Sequence, residues 1–503
     1  MKDKLKIDII LVVILAIILG IGIAQNIMTP FDRDQPLQRM YNANQPAVDV
    51  VMHNEDLRHP FLSFLVLHFF LKIGQSEIYA IMPSVLFGLC ALILFYILLR
   101  QFYDKYISFI LSLIITTNPL FLYYCVEVGG YTLFLALTLL SMILFNKLIN
   151  DKPRLIHLIA YIITCTLMMY VHYFATIIIF CQGMYILISG RIFKKEHTIV
   201  YIIIFLLIIP SLITAYLGTT KDIDIRVISK NYPTYFWGEE QSKNIIINLS
   251  EAFFSNINLY FIILLTIMGI YNIIDKRKEF HLSILTLCAG SILIAIILPL
   301  YTRMKYEYFL YMIFPLLILI AEGGMLLSSI WHLEKNRKHA FLIIILLIVS
   351  ATCIYNYVTA PKKYMEKGDY DIISNHILAN LNKSSIIMLE HQPPLIAFEY
   401  YLLNKSLEEW NCNMNVKKNG IEYGQACSSH NISIYVFFIM PKENNLLEQN
   451  KNRLEKMQEK YASWFILRNG QINPYIQTWL EKQCTGELNS SFYSLYFCEK
   501  LEK

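Results

Sequence analysis

The stretch Tyr123-Tyr-Cys-Val-Glu127-Val-Gly-Gly-Tyr131 interrupts an otherwise long apolar reach, with residues 107–123 before it and 131–146 after it, neither run carrying a charge. Glu127 stands where a hydrocarbon-length segment surfaces, which places a carboxylate at a membrane rim. Alone it reads first as a solvated loop acid. Its company argues otherwise. An acid-rich stretch holds Asp32, Asp34, Glu55 and Asp56, His59-Pro60 follows, and His172-Tyr173-Phe174 closes a later apolar run.

Apolar runs like these recur along most of the 503 residues, which are 56% hydrophobic and 16% charged. Soluble domains average roughly a quarter charged residues, so this composition excludes one and indicates a polytopic membrane protein. Runs at 7–25, 82–99, 107–123, 131–146, 155–171, 174–189, 199–217, 259–274, 282–300, 308–330 and 341–358 give eleven expected helical spans. Most approach the length needed to cross ~30 Å of hydrocarbon. Residues 7–25 follow Lys2, Lys4 and Lys6, and no small-residue cleavage site comes after, so they read as a first span rather than a removed leader. Residues 61–73 are too short to span and read as an amphipathic interfacial helix. The connection at 26–60 exceeds ordinary loop length, which implies function or helices of its own.

The basic residues sort by side. With the N-terminus cytoplasmic, alternate short loops carry Arg100/Lys105, Lys147/Lys152/Arg154, Arg191/Lys194/Lys195, Lys276/Arg277/Lys278 and Lys335/Arg337/Lys338, while the opposite short loops carry only Arg303 and Lys305. That is the positive-inside pattern. The net charge of +5 therefore reports topology and not a nucleic-acid surface. The first loop, Glu127, His172, the loop at 218–258 and everything after 358 are then expected on the non-cytoplasmic face.

From 360 the composition becomes that of a soluble α/β domain, so residues 1–359 are read as the membrane module and 360–503 as an extracytoplasmic domain. Asp369–Leu381 has helical spacing, Ser385–Leu389 and Ile432–Phe438 read as buried strands, Lys442–Lys460 as a charged helix and Phe492–Phe497 as a closing strand. Of ten cysteines, six lie in or beside apolar segments as small buried hydrophobes. Cys412, Cys427, Cys484 and Cys498 form two closely spaced pairs in the polar region, which suits disulfides in an oxidising compartment.

Ionisable groups are scarce within the spans. Glu322 and His157 are the exceptions, and the sequence shows no partner for either. Ion-coupled transporters place acids, bases or broken helices near the midplane, whereas here the acids gather at the rim. That distribution fits an enzyme drawing a lipid-held substrate from one leaflet. Moving a sugar from a lipid phosphate requires a carboxylate to take the acceptor's proton and cationic or polar groups to hold the departing phosphate. Asp32 and Asp34, then His53, Glu55, Asp56, Arg58 and His59, supply such groups.

Asp34 in its acidic loop, Leu57-Arg-His-Pro-Phe-Leu, Ser76-Glu-Ile-Tyr-Ala-Ile-Met-Pro-Ser-Val-Leu-Phe-Gly, Asn118-Pro-Leu-Phe-Leu-Tyr-Tyr-Cys-Val-Glu-Val-Gly-Gly-Tyr and Tyr170-Val-His-Tyr-Phe together resemble the dolichyl-phosphate-mannose protein mannosyltransferase and aminoarabinose transferase group. These are GT-C fold glycosyltransferases of the family-39-like kind. The likeness runs through roughly residues 8–190, more loosely to 360, and beyond that is architectural. It implies a polyprenyl-phosphate-linked sugar donor, a lipid, protein or cell-envelope glycan acceptor, an inverting displacement and an active site at the outer face of a bacterial inner or plasma membrane. By the same resemblance the first-loop acid maps onto Asp34, with Asp32 competing and Gln35 where the family has Glu; the second loop acid maps onto Glu127. His59 matches the first residue of a His-Pro-Pro motif whose second Pro is Phe61 here. The family's late Arg-Tyr is replaced by Tyr308-Phe309, and Arg303 and Lys305 stand nearby to take the phosphate role, with Arg58. His59, Tyr131, His172 and Tyr173 are the expected pocket residues. Glu55, His59 and His172 offer the donor types that hold a divalent metal ion, whose need stays open. The opposing readings are a lipid-linked sugar flippase or exporter, and a structural assembly factor without chemistry.

Overall fold

The computed structural model describes residues 2–27, 39–40, 42–52, 60–150, 153–190, 195–230, 259–276, 279–297, 310–331, 335–359, 370–380, 385–389, 411–418, 421–429, 432–436, 462–468, 480–489 and 493–498. Two compact units emerge. One comprises Met1–Met28, Gln45–Gly74 and Ile78–Met365; the other Thr29–Asn44, Gln75–Glu77 and Glu366–Lys503.

The elements described in the first unit are all helices. It contains α1 (Lys2–Ile27), α2 (Ala47–Met52), α3 (Phe61–Leu71), α4 (Glu77–Leu99), α5 (Lys105–Thr116), α6 (Pro119–Val126), α7 (Tyr131–Asn150), α8 (Leu155–Val171), α9 (Ala175–Ile188), α10 (Lys195–Lys230), α11 (Leu259–Lys276), α12 (Glu279–Ile297), α13 (Ile313–Ile330) and α14 (Lys335–Thr359). In α1, Leu15, Leu19 and Ile23 recur one turn apart and pack inward, while Ile10, Val13, Ile17 and Ile21 are exposed. A helix apolar on both its packed and outward stripes suits hydrocarbon, not water. Among the described residues five helices are long and apolar enough to cross a membrane, or six with one bent pair, and shorter apolar helices accompany them. Every one of the eleven expected spans falls on a helix or on that pair. The chain is an integral membrane protein.

Two expectations need correction. Residues 107–123 do not form one straight helix: α5 and α6 pass together as a span-length pair but meet at 63°. Pro119 lacks the N–H that would continue the ladder, and Asn118 starts the second helix by accepting the Phe121 N–H on its side chain at 3.1 Å. The loop expected from 218 begins instead as helix, because α10 runs on to Lys230.

The bundle's polar interior also differs from expectation, since Glu322 has partners. Its Oε1 accepts from Tyr103 Oη at 3.1 Å and its Oε2 from Asn272 Nδ2 at 2.7 Å. Burial, then the Glu322 carboxylate, raises the Tyr103 phenol well above its usual range, so it remains a donor. The backbone of Tyr103 extends the network, its carbonyl accepting from Arg100 Nη1 at 2.7 Å. Arg100 Nε and Tyr96 Oη both donate to Asp8 Oδ1, at 3.0 and 2.6 Å. Four helices, α1, α4, α11 and α13, are thereby tied through residues far apart in sequence. Tyr103→Phe should lower stability by about 1–3 kcal/mol, because the buried carboxylate loses a donor. Thermal unfolding in detergent reads this directly; an unchanged midpoint would remove the bond from the stabilising set.

Against α13, α11 packs backbone to backbone. A Cβ on Gly269 would strike the Leu319 carbonyl, and one on Gly323 would strike that of Leu265. Small residues at a crossing let two helices approach this closely in a membrane, where contact and not water exclusion drives association.

The second unit contains α15 (Tyr370–Asn380) and the strands β1 (Ser385–Leu389), β2 (Asn411–Lys418), β3 (Ile421–Ser429), β4 (Ile432–Val436), β5 (Ala462–Arg468), β6 (Thr485–Asn489) and β7 (Tyr493–Cys498). They form one seven-stranded sheet in the order β2-β3-β4-β1-β5-β7-β6. The three central strands are parallel, with Ile387 opposite Ile434 and Met388 opposite Phe465; antiparallel pairs flank them on both sides. Ile373 and Ile377 of α15 are fully buried, and His376 meets Trp464 ring to ring at 5.9 Å. The helix expected over Lys442–Lys460 lies outside the described residues.

Candidate active site

Glu127 leaves α6 in extended backbone (φ −75°, ψ 133°) while its N–H still donates to the Tyr123 carbonyl at 3.0 Å. Its position is held from α4. Ser84 Oγ donates to the Glu127 carbonyl at 2.6 Å and lies 3.3 Å from that of Gly129. Ser84 is buried beside Pro83, within the apolar run. Downstream, a Cβ on Gly130 would come within 2.7 Å of Ser63 Cβ and 3.2 Å of Val171 Cγ1. The start of α3 and the end of α8 thus close on the loop from two sides, leaving the half-buried Glu127 beside them.

Aromatic rings assemble next to this loop. Tyr131, the first residue of α7, lies 4.6 Å from the Tyr124 ring and 5.7 Å from His172. His172 stacks on Phe134 at 5.0 Å and meets Phe174 edge-on at 5.5 Å. It is 7% exposed, and its Nδ1 takes the Phe174 N–H at 3.2 Å, which puts the proton of the neutral ring on Nε2. Tyr173 turns toward α10, where its Oη donates to Thr214 Oγ1 at 3.3 Å. Phe134 also reaches Tyr311, whose Oη shares a 2.8 Å hydrogen bond with Ser291 of α12.

The structure therefore gathers Tyr131 and His172 at the end of the bundle where Glu127 emerges. Asp32, Asp34, Glu55, Arg58, His59, Arg303 and Lys305 lie outside the described residues. Two of their neighbours do reach this end. Phe61, following His59-Pro60, sits 5.4 Å from the Tyr170 ring, and Tyr311 lies shortly after Lys305 in the chain. Among the described residues no three His, Cys, Asp or Glu side chains cluster to hold a metal. Sequence reasoning missed Ser84, Gly130 and Phe134. The Pro83-Ser84 break inside an apolar run and the Gly129-Gly130 pair after Glu127 were the available signals.

Comparison with known proteins follows the same outline. Residues 58–213 match the family model described as dolichyl-phosphate-mannose-protein mannosyltransferase. The fold is similar to the crystal structure of ArnT from Cupriavidus metallidurans in the apo state, with a TM-score of 0.57 at 9% identity over 97% of each chain. The same protein bound to undecaprenyl phosphate gives 0.54, again at 9% identity and 97% of each chain. The archaeal oligosaccharyltransferase AglB from Archaeoglobus fulgidus, in complex with an inhibitory peptide and a dolichol-phosphate, gives 0.50 at 12% identity over 80% of this chain and 60% of that one. No curated protein matches by sequence. The chain is a multi-pass membrane protein of the GT-C fold that resembles the dolichyl-phosphate-mannose protein mannosyltransferase and aminoarabinose transferase group.

Proposed function

We propose that this protein is a membrane glycosyltransferase that moves a sugar from a polyprenyl-phosphate donor to a lipid, protein or cell-envelope glycan acceptor. The acceptor oxygen or nitrogen attacks the anomeric carbon as Asp34 takes its proton; the bond to the phosphate oxygen breaks and the configuration inverts. Polyprenyl phosphate departs with the electron pair, and Arg303, Lys305 and Arg58 offset its charge. Glu127 orients Asp34 or the acceptor, with Asp32 the competing base. His59, Tyr131, His172 and Tyr173 shape the sugar pocket.

The observation that carries this reading is the meeting of Tyr131 and His172 beside Glu127, at ring distances of 5.7 and 5.0 Å to Tyr131 and Phe134, within the region that matches the mannosyltransferase family model. ArnT and AglB, whose structures hold polyprenyl-type phosphates, support the donor class. Positive loops on one side support a non-cytoplasmic site, and the Cys484–Cys498 disulfide supports an oxidising compartment for the second unit; the membrane assigned in this reading is a bacterial inner or plasma membrane. A divalent ion held by Glu55, His59 and His172 would add positive charge for the leaving phosphate. His172 does not fit that role as it stands, since Nδ1 accepts the Phe174 N–H and Nε2 carries the proton; binding through Nε2 would require the Phe174 hydrogen bond to be given up.

The direct test supplies the purified protein in liposomes with a labelled polyprenyl-phosphate sugar and a membrane extract. A new labelled glycoside is expected. Label that crosses the bilayer without any new glycoside would establish a flippase instead. The same assay examines Ser84 as a positioning residue. Ser84→Ala should lower kcat about tenfold, equivalent to ~1.4 kcal/mol, with KM for the donor little changed, and Ser84→Thr should restore it.

A further inference from the structure

The second unit holds four of the ten cysteines, and one pair is joined: Cys484 and Cys498, separated by 14 positions. That bond closes the β6/β7 hairpin, for Cys484 directly precedes β6 and Cys498 ends β7, and β6 is one edge of the sheet. Among the described strands the opposite edge is β2. There Cys412 and Cys427 stand directly opposite one another across the β2/β3 ladder, flanked by Asn411 opposite Ser428 and Asn413 opposite Ala426. The second neighbour of β3 holds it in place as well, with Cys427 opposite Ile434 of β4.

Direct partners across an antiparallel ladder have Cα atoms about 4.5–5.5 Å apart. A disulfide spans Cα separations of roughly 4.4–6.8 Å. A one-residue slip would send the two side chains to opposite faces, so this register is a specific condition and not a consequence of mere proximity. A shared four-cysteine metal site is ruled out by distance. From β2 to β7 there are five strand spacings, about 24 Å in all, and Cys484 and Cys498 are already bonded to each other.

We propose that Cys412 and Cys427 form a second disulfide, so that each edge strand of the sheet is cross-linked to its inner neighbour. The two thiols lose two protons and two electrons to the disulfide of a thiol oxidase, which becomes a dithiol. Edge strands present unpaired backbone and are where strand exchange begins, and both are here tied to the sheet. This proposal stands apart from the transferase reading and does not depend on it.

Trypsin offers a clean test, because Lys417 and Lys418 separate Cys412 from Cys427 whereas no Lys or Arg lies between Cys484 and Cys498. The full-length protein is quenched with iodoacetamide in denaturant, without reductant, and digested. The expected result is a Cys412 peptide joined to a Cys427 peptide that separates on reduction, together with a Cys484–Cys498 peptide lighter than its reduced form by two hydrogens. Carbamidomethylated Cys412 and Cys427 would overturn the proposal, as would either one joined to Cys484 or Cys498. In Cys412→Ser protein, Cys427 should change from unreactive to fully alkylated while the Cys484–Cys498 peptide is unaltered. Complete alkylation of Cys427 already in the unsubstituted chain would also overturn it.

Discussion

Replacing Asp34 with Asn should cut sugar transfer by about 10²–10⁴-fold, the usual contribution of a positioned general base. The amide keeps the shape of the carboxylate but cannot accept the acceptor's proton, so donor binding should survive while kcat collapses. The pH profile distinguishes this from misfolding. The unsubstituted enzyme should gain activity as a carboxylate deprotonates on the acid side, and the variant should lose that limb. Glu127→Gln should cost less, about tenfold or ~1.4 kcal/mol, since its part is orientation. If Asp34→Asn transfers sugar at the normal rate and Asp32→Asn does not, the base is Asp32. If all three variants retain full rate, the carboxylate mechanism is wrong.

The second large effect is on folding. Gly323→Ala places a methyl group against the Leu265 carbonyl, and that obstacle is backbone rather than the end of a flexible side chain. Helices α11 and α13 must separate to admit it, which should destabilise the protein by about 1–3 kcal/mol, with Gly323→Leu worse. Gly20→Ala is the control. Nothing lies within 4 Å of a Cβ there, so it should be neutral or gain up to about 1 kcal/mol of helix propensity. Thermal midpoints in one detergent compare the three. A Gly323→Ala protein as stable as the Gly20→Ala protein would show that the close crossing contributes nothing.

The membrane unit was legible because its helices are long, apolar and separated by charged loops, a pattern that needs no tertiary information. The bend at Asn118 was less so. Its cause, Asn-Pro inside an apolar run, stood in the sequence, but apolar length alone argued for one continuous span. Glu322 was misread for a different reason. Its partners Tyr103 and Asn272 lie 219 and 50 positions away, and only packing joins them. In the second unit Ser385–Leu389 was read to the residue because four of its five residues are apolar, as suits a strand in the middle of the sheet. The strands β2, with the sequence Asn-Cys-Asn-Met-Asn-Val-Lys-Lys, and β6 carry little β propensity and owe their state to pairing at the sheet edges. Tyr131 and His172, which the structure brings together at the candidate site, were named from the sequence. Ser84 was not, because a buried serine hydroxyl leaves no trace in periodicity.

The carboxylate-centred contacts of the helical bundle lie at one end, while the other holds neutral hydrogen bonds, Ser84 to Glu127 and Ser291 with Tyr311, and aromatic rings. Tyr96 lies twelve residues beyond Ser84 along α4, about 18 Å at 1.5 Å per residue. The Asp8–Arg100–Tyr103–Glu322–Asn272 chain therefore gathers at the far end from Glu127. Breaking a buried hydrogen bond to the Glu322 carboxylate costs more than breaking a neutral one or sliding one ring over another. Thermal breathing should accordingly hinge at the Glu322 end and widen at the Tyr131–His172 end, as a clothes-peg opens at its jaws, and an isoprenoid tail would be admitted there without the bundle coming apart.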